Sequence, residues 1–111
     1  MSKGQFLAEF ELLVMLALAR LEDNAYGVSI RREIEHRTGR PVSIGAVYAT
    51  LGRLGDKGLV MHSISPPLPV PGGRARKFFQ LTPKGRRALS HSAAMLTQMM
   101  DGLEIEAWSA E

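Results

Sequence analysis

The chain has 111 residues, 45% of them hydrophobic, and a formal net charge of +3, which suits one folded domain with a modest core. It contains no cysteine, which excludes disulfide bonds, thiolate catalysis and cysteine zinc sites. Its longest apolar run, from Phe10 to Leu21, is interrupted by charges and is shorter than the ~20 residues that span a bilayer. The N-terminus lacks the basic and then apolar pattern of a secretion signal, so we expect no membrane partner and a cytoplasmic location.

The charges are distributed unevenly along the chain. From Arg31 to Arg87 there are twelve basic and three acidic residues, a net charge of +9, whereas the remaining residues have two basic and eight acidic side chains. A basic middle between acidic ends predicts a surface that faces a polyanion. The alternative is a set of basic side chains scattered over a solvated surface.

Apolar spacing predicts two helices in the first forty residues. The first runs from about Glu9 to Leu21, and the second from about Ala25 to Thr38. Asn24 or Asp23 is expected to cap the second helix, and Gly39 to end it in a left-handed conformation. The predicted apolar positions are Phe10, Leu13, Val14, Ala17, Leu18 and Leu21 in the first helix, and Tyr26, Val28, Ile30 and Ile34 in the second.

A third helix is predicted to begin after its N-cap, Ser43, and to end near residues 57–58. Val47, Leu51 and Leu54 form its inner stripe. The opposite face consists of small residues, one aromatic hydroxyl and one guanidinium, namely Gly45, Tyr48, Ala49, Gly52 and Arg53. A merely solvated face would be richer in Glu, Lys and Gln. Small residues allow a helix to approach another surface closely, as a helix in a DNA major groove must.

Three side chains of this helix are candidate DNA contacts. Ser43 can donate to a phosphate near the helix N-terminus in addition to capping the helix. Tyr48 lies off the inner stripe, so we expect it to be exposed and to contact a phosphate or a thymine methyl rather than fill the core. Arg53 can reach a phosphate or a guanine edge, and its alternative is a surface ion pair with Asp56.

The next segment predicts a β-hairpin with a long tip. Leu59–Ile64 and Arg76–Leu81 are the predicted strands, and the residues between them are rich in turn formers. Glycines and basic residues without acidic neighbours lie at and beside the tip, namely Gly73, Arg74, Arg76 and Lys77. Such a wing suits the narrow, electronegative minor groove of DNA. The alternative is a flexible loop that its charge keeps soluble.

A fourth helix is predicted from Pro83 to about Gly102, with Thr82 as its cap. One side of it is apolar and rich in methionine, which suits an adaptable interface. A chain this small has little of its own to cover so long a face, so we predict packing against a second copy. The alternative is packing on the first helix of the same chain. The expected dimer contacts are Leu89, Met95, Leu96, Met99 and Leu103.

Three helices followed by a hairpin predict a mainly α fold with a small β-hairpin, a winged helix-turn-helix. We assign residues 1–82 to this DNA-binding domain and residues 83–111 to a C-terminal dimerisation helix. His36, His62 and His91 are far apart and lack metal-ligand spacing, and no nucleotide-binding loop is present. We therefore expect no enzyme activity, no cofactor and no metal site.

Several motifs follow one another in a characteristic order: EFELLVMLAL from Glu9, AYGVSIRREI from Ala25, VSIGAVYATLGRL from Val42, KGLV from Lys57 and GGRARKFFQLTPKG from Gly72. Together they resemble the PadR family of bacterial transcriptional regulators over about residues 6–90. The resemblance implies a homodimeric repressor of the compact subfamily, bound to double-stranded DNA. It also implies that Tyr48 is the recognition-helix tyrosine and that Gly73, Arg74 and Arg76 belong to the wing. Ala49 stands where many members have proline.

The sequence therefore predicts a homodimer on a pseudo-palindromic operator with half-sites roughly 10 base pairs apart. Release by a small-molecule effector is a further expectation, and the sequence does not set the effector's chemistry. The alternative is a winged-helix protein-interaction module that binds an acidic partner and no DNA. The small-residue face of the third helix argues against this alternative, because a protein-binding helix usually offers large apolar anchors.

Overall fold

The structure is a computed structural model that describes residues 7–65 and 75–109. Its elements, in chain order, are α1 (Glu9–Leu21), α2 (Gly27–Thr38), α3 (Ile44–Asp56), β1 (Val60–Ile64), β2 (Lys77–Leu81), α4 (Pro83–Met100) and the short α5 (Ile105–Trp108). Each predicted helix and strand is present within two residues of its predicted bounds. The expected mainly α fold with a β-hairpin is therefore confirmed. In these two ranges, no helix is long and apolar enough to cross a membrane.

The hydrophobic core lies among α1, α2 and α3 and beneath the hairpin. Its largest fully buried side chains include Met15, Ile30, Leu54, Leu59, Val14 and Val47. The predicted buried side of α1 omitted Met15 and included Phe10, Leu13 and Leu21, which are only half-buried. The reason is that α1 contacts α2, α3, α4 and β2, so its buried face is wider than one helical stripe.

The N-cap of α2 differs from the expectation. The helix begins at Gly27 after Tyr26, and Asn24 and Asp23 belong to a 3₁₀ turn that precedes it. Ser29 makes the capping contact, because its hydroxyl oxygen accepts a hydrogen bond from the Tyr26 amide at 2.9 Å. The same hydroxyl donates to the Asn24 carbonyl at 2.7 Å. The prediction of Asn24 or Asp23 as the cap was therefore wrong.

This late start of α2 follows from strand pairing by the residues before it. The amide of Phe79 in β2 donates to the Ala25 carbonyl at 2.8 Å, and Tyr26 forms an antiparallel bridge with Phe78. Residues paired with a strand are extended and cannot also be helical. The hairpin, in which Val60 pairs with Leu81, is thus attached to the N-terminus of α2.

The first half of α4 packs on the body and the second half projects from it. Thr82 caps the helix by accepting a hydrogen bond from the Gly85 amide at 2.9 Å. Gly85 lies against the backbone of Leu59, since a Cβ there would lie 2.9 Å from the Leu59 carbonyl carbon. Ser92 is the last buried residue of α4. The radius of gyration of 16.0 Å exceeds the roughly 13 Å of a compact domain of this size.

Candidate nucleic-acid interface

The outward face of α3 is exposed as predicted. Ser43 caps the helix by accepting a hydrogen bond from the Ala46 amide at 3.1 Å, which confirms its structural role. Val47, Leu51 and Leu54 are buried on the inner side. The predicted contact residues of the opposite side are all exposed, namely Gly45, Tyr48, Ala49 and Arg53, together with Gly52. Each residue of this set is therefore accessible to solvent.

Three glycines of α3 have no packing role that the described residues reveal. A Cβ added to Gly45, Gly52 or Gly55 would meet no atom of those residues within 4 Å. Glycine in a helix interior is less favourable than alanine by about 0.5–1 kcal/mol. These glycines therefore weaken the helix, and no close contact among the described residues requires them. They leave a bare helix surface that another molecule can approach closely.

Tyr48 is held at the junction between α3 and the start of α2. Its side chain is 48% exposed, which confirms the predicted exposure. The hydroxyl end of its ring lies on Gly27, because a Cβ added there would come within 2.9 Å of Tyr48 Cε2 and closer still to Cζ and the hydroxyl oxygen. The phenol hydroxyl consequently lies beside the first turn of α2, where free backbone amides favour an anion.

Arg53 lies at the edge of the outward face. Its Nη2 donates to the Thr50 hydroxyl at 2.9 Å. Asp56 is not its ion-pair partner, since the ion pairs formed within residues 7–65 and 75–109 involve Arg31, Arg37, Arg40 and Lys57. The surface ion pair that the sequence left open is therefore not formed, and contact between Arg53 and DNA stays a prediction.

The structure describes two of the predicted wing residues, Arg76 and Lys77, and the charged group of each lies near an aromatic ring. The Arg76 guanidinium lies 4.4 Å from the centre of the Tyr26 ring. Lys77 Nζ lies 5.8 Å from the centre of the Phe79 ring. Both residues are exposed. The other two, Gly73 and Arg74, lie outside the described residues.

The outward face of α3 and the wing border one cleft of about 260 Å³. Tyr48 and Gly52 line its α3 side, and His62 and Lys77 line its hairpin side. The fold thus brings together residues about 30 positions apart that sequence analysis assigned separately to the helix and to the wing. Asp56 also lines this cleft and is its acidic member.

The predicted dimer contacts lie along α4 and are covered to different degrees. Leu89 and Met95 are half-buried, whereas Leu96 is 50%, Met99 78% and Leu103 53% exposed. Met95, Leu96 and Met99 line a groove of about 300 Å³ with Leu7 and Leu12. Packing on α1 of the same chain, the alternative left open, is therefore present, but it leaves Leu96, Met99 and Leu103 half or more exposed.

One buried polar contact was missed by the sequence analysis. Glu11 of α1 is only 4% exposed, and its carboxylate accepts hydrogen bonds from Lys57 Nζ and from the Ala8 amide, each at 2.9 Å. Burial alone would raise the pKa of Glu11, but these two hydrogen bonds and the charges of Lys57 and Arg53 outweigh it and lower the pKa. The sequence does contain a signal for the contact with Ala8, because a Glu three residues after the N-cap of a helix is typical of a capping box.

The described ranges contain no group of three or more His, Asp or Glu side chains that could hold a metal ion. His36, His62 and His91 are all exposed. A cleft of about 470 Å³ lies between the end of α1, β2 and the first turn of α4, bordered by charged residues such as Glu22 and Arg86. Among the described residues of its lining, no nucleophile is hydrogen-bonded to a base.

Comparison with known proteins agrees with this geometry. The sequence model described as "Transcriptional regulator PadR-like family" matches residues 15–91. The chain is similar to transcriptional regulator Rv3488 of Mycobacterium tuberculosis, with 33% identity over 78 residues, 70% of this chain and 68% of that protein.

Two solved structures are also similar. One is a PadR family transcriptional regulator from Eggerthella lenta DSM 2243, with 28% identity, a TM-score of 0.66 and coverage of 86% of this chain and 82% of that one. The other is a PadR family transcription regulator from Clostridium difficile R20291, with 24% identity, a TM-score of 0.69 and coverage of 85% and 96%. The second likeness bears on the fold alone.

Proposed function

The chain belongs to the PadR-like family of transcriptional regulators, and from this premise we propose that it is a homodimeric repressor that binds a pseudo-palindromic operator. Family membership implies DNA-binding regulation of transcription. The finer proposal assigns residues 1–82 to DNA binding and residues 83–111 to dimerisation, with no enzymatic activity. It includes a cytoplasmic location, because a bacterial or archaeal chromosome lies there.

The bare outward face of α3 is the observation that carries the proposal. Gly45 and Gly52 weaken the helix and fill no internal space, so their value lies in what approaches from outside. DNA fits this requirement because a recognition helix must enter a major groove about 12 Å wide. In our assignment Tyr48 and Ala49 face the bases or phosphates of that groove, and Ser43 lies by a phosphate near the helix N-terminus.

The wing supplies charge beside this helix. Lys77 lines the same cleft as Tyr48, and Gly73, Arg74 and Arg76 are proposed to extend this surface toward the minor groove. Phosphate contacts by Arg and Lys provide sequence-independent affinity that falls steeply with salt. We therefore assign the wing to affinity and the outward face of α3 to specificity.

The uncovered stripe of α4 supports the proposed dimerisation. Leu96, Met99 and Leu103 expose apolar surface on a segment that projects from the body. A second copy with the same stripe would cover it symmetrically, since a two-fold interface pairs one patch with itself. Such a dimer presents two α3 helices, which requires half-sites about one helical turn apart.

The proposal is tested by selecting binding sites from genomic DNA fragments with the purified protein. The expected result is enrichment of a short sequence with two-fold symmetry, bound with steep salt dependence. Enrichment of no sequence, with weak binding to all fragments, would favour the protein-interaction alternative, whose partner is acidic. Release of the selected DNA by a small-molecule effector stays a prediction without an assigned site.

A further inference from the structure

The C-terminal end of α3 is connected to α1 by one ion pair. Lys57, the C-cap residue of α3, places its Nζ 2.9 Å from Glu11 Oε2. The Glu11 side chain is 5% exposed and that of Lys57 is 30% exposed. The second carboxylate oxygen, Oε1, accepts the Ala8 amide at 2.9 Å, so the carboxylate is held from both sides. The pair is therefore a fixed link between the two helices.

The same end of α3 is also connected to α4. Lys84 Nζ donates to the Lys57 carbonyl at 3.0 Å, and the Thr82 hydroxyl donates to the Gly58 carbonyl at 2.7 Å. The first turn of α4 therefore contacts the residues that end α3. Three helices meet at this point, and only Glu11 carries a negative charge among the groups that make these bonds.

Lys57 points away from the outward face of α3. It follows the buried residues Thr50 and Leu54 by seven and three positions, which places it on the inner side of the helix. By composition alone it would count as one more phosphate contact in the basic middle of the chain. Its contact with a buried carboxylate indicates a different role.

We propose that Glu11 and Lys57 are positioning residues for DNA recognition, because their ion pair fixes the angle of α3 against α1 and so the fit of its outward face to the operator. This inference rests on the proposed function. Breaking this part-buried pair leaves one charge near the core without its partner, which is unfavourable, so we expect the element that carries it to shift. Base contacts require accurate placement of α3, whereas phosphate contacts by long basic side chains tolerate a small shift.

The test compares operator and random DNA for Glu11→Gln. Removal of a negative charge would strengthen binding to any DNA if bulk electrostatics decided the outcome. We expect instead that Glu11→Gln lowers the affinity for the operator about tenfold and leaves the affinity for random DNA unchanged or higher. Glu9→Gln is the matched control, because Glu9 lies in the same turn and carries the same charge, and its ion pair with Arg40 is open to solvent, where such a pair contributes little.

Lys57→Met provides a second test through the salt dependence of binding. A lysine that contacts a phosphate contributes about 1 to the slope of log affinity against log salt concentration. We expect Lys57→Met to weaken operator binding about tenfold and leave this slope unchanged. Lys77→Met, at a proposed wing contact, should lower the slope by about 1. The double variant Glu11→Gln/Lys57→Met has no unpaired charge and should lose less affinity than the two single losses combined.

All comparisons are made at a temperature where circular dichroism shows each variant folded. If Glu11→Gln does not fold, the comparison of Lys57→Met with Lys57→Arg, which retains the charge and should bind within about threefold of the wild type, decides the question. An unchanged ratio of operator to random affinity in these variants, or a lower salt slope for Lys57→Met, overturns the inference. A wild-type protein that selects no operator overturns the proposed function instead.

Discussion

The side chain of Tyr48 in α3 lies against Gly27, the first residue of α2, so closely that a Cβ at Gly27 would lie 2.9 Å from Tyr48 Cε2. Glycine is therefore the residue that leaves the tyrosine in its place. The contact joins the two helices of the helix-turn-helix through the one aromatic side chain of the outward face. The contact also explains the order Tyr26-Gly27, because Tyr26 pairs with β2 and Gly27 leaves room for the Tyr48 ring.

Gly27→Ala should displace Tyr48 without unfolding the protein. The ring is half exposed and can move outward, so we expect a change of less than about 1 kcal/mol in the free energy of unfolding. Operator affinity should fall about fivefold because the tyrosine leaves its position. In a Tyr48→Ala background the same substitution should have no further effect on affinity. Equal losses in both backgrounds, measured by fluorescence anisotropy, would show that the two residues do not act together.

Arg76→Ala should weaken binding to operator and random DNA alike. Removal of one phosphate contact should reduce the salt slope by about 1, and the ratio of the two affinities should stay constant. Arg20→Ala is the control, because Arg20 is an exposed arginine at the end of α1, outside the proposed surface. If the two substitutions change the slope equally, the wing assignment is wrong.

Met95→Glu with Met99→Glu should yield folded monomers in sedimentation experiments. Two carboxylates placed on the α4 stripe would be buried unpaired in the dimer, which costs several kcal/mol. Each monomer should remain folded because Met99 is 78% exposed and Met95 is not fully buried. Thr97→Glu adds a charge on the opposite side of α4 and should leave the dimer intact. A wild-type chain that sediments as a monomer at micromolar concentration would contradict the dimer itself.

Glu11 should contribute a component of acid unfolding. Its pKa is lower in the folded chain than its ordinary value, so its stabilisation is fully present above the ordinary pKa and is lost as the pH falls through the folded one. We expect the free energy of unfolding of the wild type to decrease below about pH 5, and Glu11→Gln to show a smaller decrease. Urea titrations at a series of pH values measure both, and equal decreases would rule out this role.

The sequence predicted the helices and strands well because each has a local signal. Ser43, Gly39 and Thr82 occupy the cap positions they were expected to occupy. The predicted cap of α2 was wrong because the pairing of Ala25 and Tyr26 with β2 is a contact between residues more than fifty positions apart. Non-local pairing of this kind overrides a local capping preference.

The candidate site was predictable in its composition and not in its internal geometry. Exposure of Tyr48 followed from its position off the apolar stripe, but its contact with Gly27 depends on how α2 and α3 cross. Lys57 was counted in the basic middle of the chain, for which a polyanion-facing surface was predicted, whereas its side chain reaches Glu11, 46 positions away in the sequence. Charge counts assign a residue to a surface only when no buried partner of opposite sign is within reach.

The central claim is that the bare face of α3 contacts DNA. Its most direct test measures both stability and operator affinity in the double variant Gly45→Ala/Gly52→Ala. Nothing within the described chain opposes the added methyl groups, so the free energy of unfolding should rise by about 1 kcal/mol. Operator affinity should fall about tenfold, because the methyl groups would overlap a closely packed groove. Ser90→Ala, on the exposed side of α4, should leave affinity unchanged. A more stable double variant that binds the operator as tightly as the wild type would contradict the account.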